Sequence, residues 1–181
     1  NNQLIIPPYQ RPYKWTKKNI EELLTDMSTA LSDKQKIAKE FFYRIGTIII
    51  HEDEKGKWNI VDGQQRLISI TLLKRYLDSS FSNTILETEF HDKETQKNIH
   101  NNFIFIKQWF SLKDKSFEKE LNEALTKVFQ FVLIKVTKQS EAFQLFDSQN
   151  NRGKSLDPHD LLKAYHLREM RSDKYSMIHA V

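Results

Sequence analysis

Apolar residues recur at Ile20, Leu23, Leu24, Met27 and Leu31. That spacing of three and four predicts an amphipathic helix, with Thr16 placed to cap its start. Before it, the Leu-Ile-Ile run at residues 4–6 reads as a short strand stopped by Pro7 and Pro8, and Pro12 disfavours helix at Arg11. Residues 41–43 lead through Gly46 into Thr47-Ile48-Ile49-Ile50, a β-branched run expected as a buried strand. The acidic, Gly-containing HEDEKGK connection makes a hairpin with Trp58-Asn59-Ile60-Val61. Gln64–Leu77 follows as a helix. Its apolar residues Leu67, Ile68, Ile70, Leu72, Leu73, Tyr76 and Leu77 leave so little polar face that the helix is expected to be central. Two further helices are predicted. One spans residues 95–109 with a stripe at Ile99, Phe103, Ile106 and Phe110, and the other carries Phe117, Leu121, Leu125 and Val128. Phe129–Val136 (FQFVLIKV) is expected as another buried strand. Residues 140–147 read as a short helix and residues 148–154 as a polar loop. A last helix runs to Met170, with Asp157 as its cap and Pro158 at its first position. No repeat or linker interrupts the pattern. The fold class is α+β: one domain over residues 1–181, a small mixed sheet surrounded by more helix than strand.

Composition narrows this picture. The 181 residues are 39% hydrophobic and 12% aromatic, and a chain of this length buries roughly 70% of its unfolded surface. Disorder therefore does not describe the whole. With 4 Gly and 4 Pro, a sandwich rich in tight turns is disfavoured. The absence of Cys excludes a disulfide framework, a thiol nucleophile and a Cys-based zinc site, and fits the cytoplasm, where the protein is expected to reside. No apolar run approaches the ~20 residues that cross a bilayer, and no apolar signal-peptide core opens the chain, so no membrane partner is expected. The chain begins at Asn1 rather than Met and is expected to be part of a longer protein. The formal net charge is +4, and Arg11, Lys14, Lys17 and Lys18 supply all of it within the first twenty residues. Interleaved with Tyr9, Tyr13 and Trp15, they make a candidate nucleic-acid or phosphate contact, in competition with an ordinary solvated loop.

The sharpest local signal is Asp62-Gly63-Gln64-Gln65-Arg66, between a strand and a helix. Free backbone N–H groups and the helix dipole favour an anion there. Gly63 lets a phosphate approach the backbone, and Arg66 offers a planar fork for its oxygens. Asp62 is suited to capping the helix, orienting a water or holding a metal ion. Two glutamines at a buried helix start are costly unless paired, and either is suited to orienting a water. The competing reading is a plain junction with Asp62 as cap and Arg66 paired to an acid. A second candidate is Gln149-Asn150-Asn151-Arg152-Gly153-Lys154-Ser155. Its Gly-Lys-Ser tail imitates a phosphate-binding Walker loop, but Ser148 stands where that loop needs Gly. The six histidines form no HxxxH or HExxH pair, so no metal site is expected. Asp53-Glu54-Lys55 matches half of a nuclease signature but lies in the hairpin, where a solvated turn is expected.

Three segments together resemble one family. Ile6-Pro7-Pro8-Tyr9-Gln10-Arg11-Pro12-Tyr13-Lys14-Trp15 resembles its opening motif, and Ile60-Val61-Asp62-Gly63-Gln64-Gln65-Arg66-Leu67 its DGQQR core. The third segment runs Phe146-Asp147-Ser148-Gln149-Asn150-Asn151-Arg152-Gly153-Lys154-Ser155-Leu156, followed by Asp160-Leu161-Leu162-Lys163. On these the chain is identified as resembling the N-terminal domain of GmrSD-type restriction endonucleases and of SspE-like proteins that depend on DNA phosphorothioation. The resemblance implies a fold related to ParB and sulfiredoxin, and a domain that binds and hydrolyses nucleoside triphosphates, with Mg2+. It implies partnership with DNA, including modified DNA, and with an HNH-type nuclease domain in the same or a partner chain. It places Asp62, Gln64, Gln65 and Arg66 in catalysis, with Gln10, Arg11, Gly63, Asn150 and Arg152 binding the nucleotide. Lys14, Lys17 and Lys18 are the expected DNA contacts. No HNH motif follows, so nuclease activity is not assigned to this segment. The alternatives are a DNA-binding or modification-sensing module without turnover, and a ParB-like nuclease acting through DGQQR.

Overall fold

The computed structural model describes residues 3–8, 10–34, 41–138 and 141. Four strands and four helices follow the order β1 (Leu4–Ile5), α1 (Lys17–Lys34), β2 (Tyr43–Glu52), β3 (Trp58–Asp62), α2 (Gln64–Leu77), α3 (Lys93–Phe110), α4 (Lys115–Lys127) and β4 (Phe129–Val136). The expectations beyond residue 141, namely the short helix at residues 140–147, the 148–154 loop and the helix after Pro158, lie outside the described residues. The class is α+β, with a small mixed sheet.

The strands lie in the order β1-β3-β2-β4. The hairpin makes β2 and β3 antiparallel, while β1 joins β3, and β4 joins β2, in parallel. In the hairpin turn Asp53 Oδ1 accepts from the N–H groups of Lys55 and Lys57, both at 2.9 Å. Those bonds hold its carboxyl below the usual range, and they fix Asp53 in a turn, as expected.

The helices build the main core against one face of the sheet. Ile20, Leu24, Met27 and Leu31 from α1 meet Ile68, Leu72 and Leu73 from α2, with Ile106 and Phe110 from α3 and Leu121 from α4. Helix α2 is as central as its composition implied, although Ile70 is only half-buried at the margin. A second, small cluster of Ile49, Val61 and Val136, with Ile134, sits apart from this core. Strand β4 forms over the expected residues but is not buried. Among the described strands it is an edge, with Val132 and Leu133 39% and 47% exposed. Its apolar run serves different clusters at its two ends, Phe129 in the main core and Val136 in the small one, leaving the middle bare.

Candidate functional site

Strand β3 ends at Asp62, and Gly63 turns the chain into α2 with φ 88° and ψ 3°, a left-handed conformation that favours glycine. A Cβ at this position would lie 2.9 Å from the Thr47 carbonyl oxygen and 3.1 Å from Ile48 Cγ1. Both backbone shape and close packing on β2 therefore exclude a side chain. No side chain caps α2 and no acid occupies its first turn. The expectation that Asp62 caps the helix fails because the left-handed turn intervenes and Gly63 itself holds the N-cap position. The Asp62 carboxylate, half-buried, takes no hydrogen bond or ion pair among the described residues. What remains is a helix N-terminus whose first N–H groups have no helical acceptor, a geometry that favours anions.

The two glutamines, both buried, divide into different roles. Gln65 Oε1 accepts from the N–H groups of Lys14 at 2.8 Å and Trp15 at 3.1 Å, while its Nε2 donates to Pro12 O at 3.0 Å. Its acceptor is used twice, so the water-orienting role expected of Gln65 has no lone pair to serve it. Gln64 is 5% exposed, and among the described residues its Oε1 has no hydrogen-bond partner. Of the pair, Gln64 is the one with an acceptor to offer.

Residues 10–15 form a strap across this junction. Gln10 Nε2 donates to the carbonyls of Ile60 and Val61, both at 2.9 Å, which ties the first motif to the end of β3. Tyr13, fully buried, is the bolt. Its N–H donates to Thr95 Oγ1 at 2.9 Å, its carbonyl accepts from Asn98 Nδ2 at 2.9 Å, and its hydroxyl meets Ser69 Oγ at 2.7 Å and Asn102 Nδ2 at 3.0 Å. Burial raises the Tyr13 pKa above its ordinary value. Asp92 in turn caps α3 by accepting from Thr95 N–H, which lowers its carboxyl pKa. Arg11 and Lys14, between these anchors, stay exposed.

Among the described residues Arg66 is not paired to an acid. Its guanidinium lies against Gly46, where a Cβ would come within 2.8 Å of Cζ, and 5.9 Å from the centre of the Trp15 ring. It lines a cleft of ≈ 190 Å³ with Trp15, Tyr43, Glu22 and Asp26. Gly46, Ser69, Thr95, Asn98 and Asn102 are neighbours of the junction and its strap that the sequence did not single out. Only Gly46 carries a signal, as a glycine inside a β-branched strand.

The basic patch is diluted. Lys14, Lys17 and Lys18 are exposed, but Lys17 Nζ sits 4.7 Å above the Phe105 ring and Lys18 faces Glu22 at 4.0 Å. Asn150 and Arg152 lie outside the described residues. No group of three His, Cys, Asp or Glu is placed to hold a metal ion among the described residues. A larger cavity of ≈ 740 Å³, lined by Ile68, Leu72, Phe90, Ile99 and Phe103, opens elsewhere between α2 and α3. Among the described residues no helix is long and apolar enough to cross a membrane.

Fold and junction together define a small α+β domain that presents, among the described residues, an uncapped helix N-terminus, an arginine without an acidic partner and a buried amide oxygen without a donor at the end of a strand. Residues 1–167 match the family model described as GmrSD restriction endonuclease, N-terminal domain, and the chain belongs to that family. No curated protein matches the chain significantly.

Proposed function

We propose that the domain binds a nucleoside triphosphate with Mg2+ at the β3–α2 junction, hydrolyses it slowly, and thereby regulates DNA restriction. The observation that carries this reading is Gln64 Oε1, a buried acceptor without a partner, one residue beyond the left-handed glycine. A fully ionised phosphate has no proton to give it, whereas a water directed at a phosphate has two. Gln64 therefore orients the water, and Gln65 holds the wall of the site.

The residues fit a triphosphate. Gly63 gives the floor, the first turn of α2 its N–H groups, and Arg66 and Arg11 the charge. Mg2+ arrives on the triphosphate itself, and Asp62 is the carboxylate at the junction able to take it or its water. Asn150 and Arg152 close the site in this reading. A side-chain amide is not a strong base at neutral pH, so turnover stays slow until DNA or an HNH-type nuclease partner completes the arrangement. The exposed Lys14, Lys17 and Lys18 meet the DNA backbone.

Phosphate release from each nucleoside triphosphate, with and without DNA, tests the proposal. The expected result is slow release that DNA accelerates and that Gln64→Met removes. Salt-dependent DNA binding with no release from any triphosphate would replace it with a sensing module that has no turnover.

A further inference from the structure

Strand β2 carries an irregularity directly beneath the site. Tyr43 and Arg44 pair with Phe129 and Gln130, but the next pair is Gly46 with Phe131, so Ile45 is an extra residue and the strand bulges. Bulges bend a strand and re-aim what packs on it. The residue opposite Phe131 is a glycine, and the space its missing Cβ leaves is filled by the guanidinium of Arg66. Arg66 stands three residues after Gly63, so both lie on the same side of the first helical turn. They also rest on neighbouring positions of one strand, Gly63 on Thr47 and Ile48, Arg66 on Gly46.

Trp15 completes the surroundings of the guanidinium and is itself fixed. Its N–H donates to Gln65 Oε1 at 3.1 Å and its carbonyl accepts from Asn102 Nδ2 at 2.7 Å. Arginine at a protein surface ordinarily finds a carboxylate, and Glu22 and Asp26 line the same cleft. Neither comes within ion-pair distance of Arg66 among the described contacts. The arginine is thus held by shape, a missing side chain and an aromatic ring, instead of by an opposite charge. Among the described residues, holding it that way leaves all five of its N–H donors and its full charge for an incoming anion.

We propose that Gly46 and Trp15 are positioning residues that seat the Arg66 guanidinium, unpaired, toward the phosphates of the nucleotide. The assignment rests on the triphosphate reading of the site above. It adds that the bulge in β2 sets the affinity of the site although neither Gly46 nor its strand neighbours touch the ligand.

The test is a double-mutant cycle on the full 181-residue chain, with ATP and inorganic triphosphate as probes and melting temperature as a second readout. Gly46→Ala is expected to weaken both probes by about tenfold or more, which corresponds to about 1.4 kcal/mol, and to lower the melting temperature. In an Arg66→Ala background the same glycine change is expected to cost no further affinity and to recover the part of the melting temperature lost to the clash, while the part lost to the φ of 156° at Gly46, where an L side chain is strained, remains in both backgrounds. Arg66→Lys is expected to restore part of the binding to Gly46→Ala, since a slim ammonium clears the new Cβ. Trp15→Leu is expected to weaken binding more than Trp15→Phe. Additive losses in the two backgrounds, or a Gly46→Ala protein that binds as tightly as the parent, would overturn the seat. So would a Gly46→Ala chain that fails to fold whichever residue occupies position 66, because the glycine would then serve the strand alone. A parent protein that binds neither probe would sink the triphosphate reading, while the melting-temperature cycle still decides whether Gly46 makes room for Arg66.

Discussion

Gln64 and Gln65 are adjacent, chemically identical and equally buried, yet their surroundings assign them opposite energetics. Gln65 spends its amide on three backbone partners, and two of those, the N–H groups of Lys14 and Trp15, lose their acceptor if it is truncated. Gln65→Ala is therefore expected to cost ~1–3 kcal/mol of stability, read as a lower denaturation midpoint. Gln64 keeps a buried acceptor unpaired, a local cost of the kind that accumulates at working sites. Gln64→Met preserves volume and removes that acceptor, so it is expected to leave the midpoint unchanged or raise it while turnover falls. A Gln64→Met protein that loses stability as Gln65→Ala does would mean that Gln64 also clamps the chain. The sequence marked both residues as polar groups at a buried helix start but had no means of separating them. Which amide is consumed depends on a strap fifty residues away, and that strap's path is a tertiary fact. Gly46 was legible only as the lead into a strand, because the Arg66 guanidinium that fills the space of its missing Cβ comes some twenty residues later.

At the scale of elements, periodicity located α1, α2, α3, α4 and β4 well because each presents one strongly apolar stripe or run. Leu73, 1% exposed on the core side of α2, is accordingly expected to cost ~2–5 kcal/mol when changed to Ala, measured by chemical denaturation. What periodicity missed was exposure and polar bonding. Strand β4 looked buried because Phe, Val, Leu and Ile dominate it, although its middle lies open at the edge. The strap at residues 10–15 has no helix or strand pattern, so its buried Tyr13 read as one more aromatic in a basic loop. In the fold it joins α2 to α3 through Ser69, Thr95, Asn98 and Asn102. Tyr13→Phe is expected to cost ~1–3 kcal/mol by leaving Ser69 and Asn102 short of a partner. Burial raises the folded pKa of Tyr13 above the unfolded value of 10.0, so the fold holds the neutral phenol. Its contribution is complete below pH 10.0 and is lost as pH rises through the folded value. Melting curves between neutral pH and pH ~11 are expected to fall more gently for Tyr13→Phe than for the parent. Tyr76, also raised by burial, and Lys115, raised by its hydrogen bond to Glu118, contribute to the alkaline limb in both proteins.

Across the whole molecule, two segments far apart in sequence converge on one junction. Gln10 ties the opening motif to the end of β3, and Gln65 ties the first turn of α2 back to it. Their meeting was legible only as a resemblance between motifs, because the family pattern alone linked positions that no local rule connects. The charge pattern was legible in amount but not in strength. Arg11, Lys14, Lys17 and Lys18 account for the whole formal excess, yet they are not equivalent cations in the fold. Lys18 faces Glu22, and Lys17 lies over Phe105, so each gives up part of its field within the chain. Arg11 and Lys14 stand exposed on the strap beside the junction. If this face meets a DNA backbone, each fully engaged cation releases counterions and contributes about −0.9 to the slope of log affinity against log salt. Four equivalent contacts would give a slope near −3.6, and the paired state of Lys17 and Lys18 is expected to leave it shallower. Arg11→Ala and Lys14→Ala are each expected to reduce the slope by about 1, and Lys18→Ala by clearly less. Titrations of a labelled duplex at several salt concentrations, repeated for each variant, measure this. Equal reductions from Lys18→Ala and Arg11→Ala would show that DNA draws Lys18 away from Glu22, and a slope unchanged by all of them would place the DNA on another face.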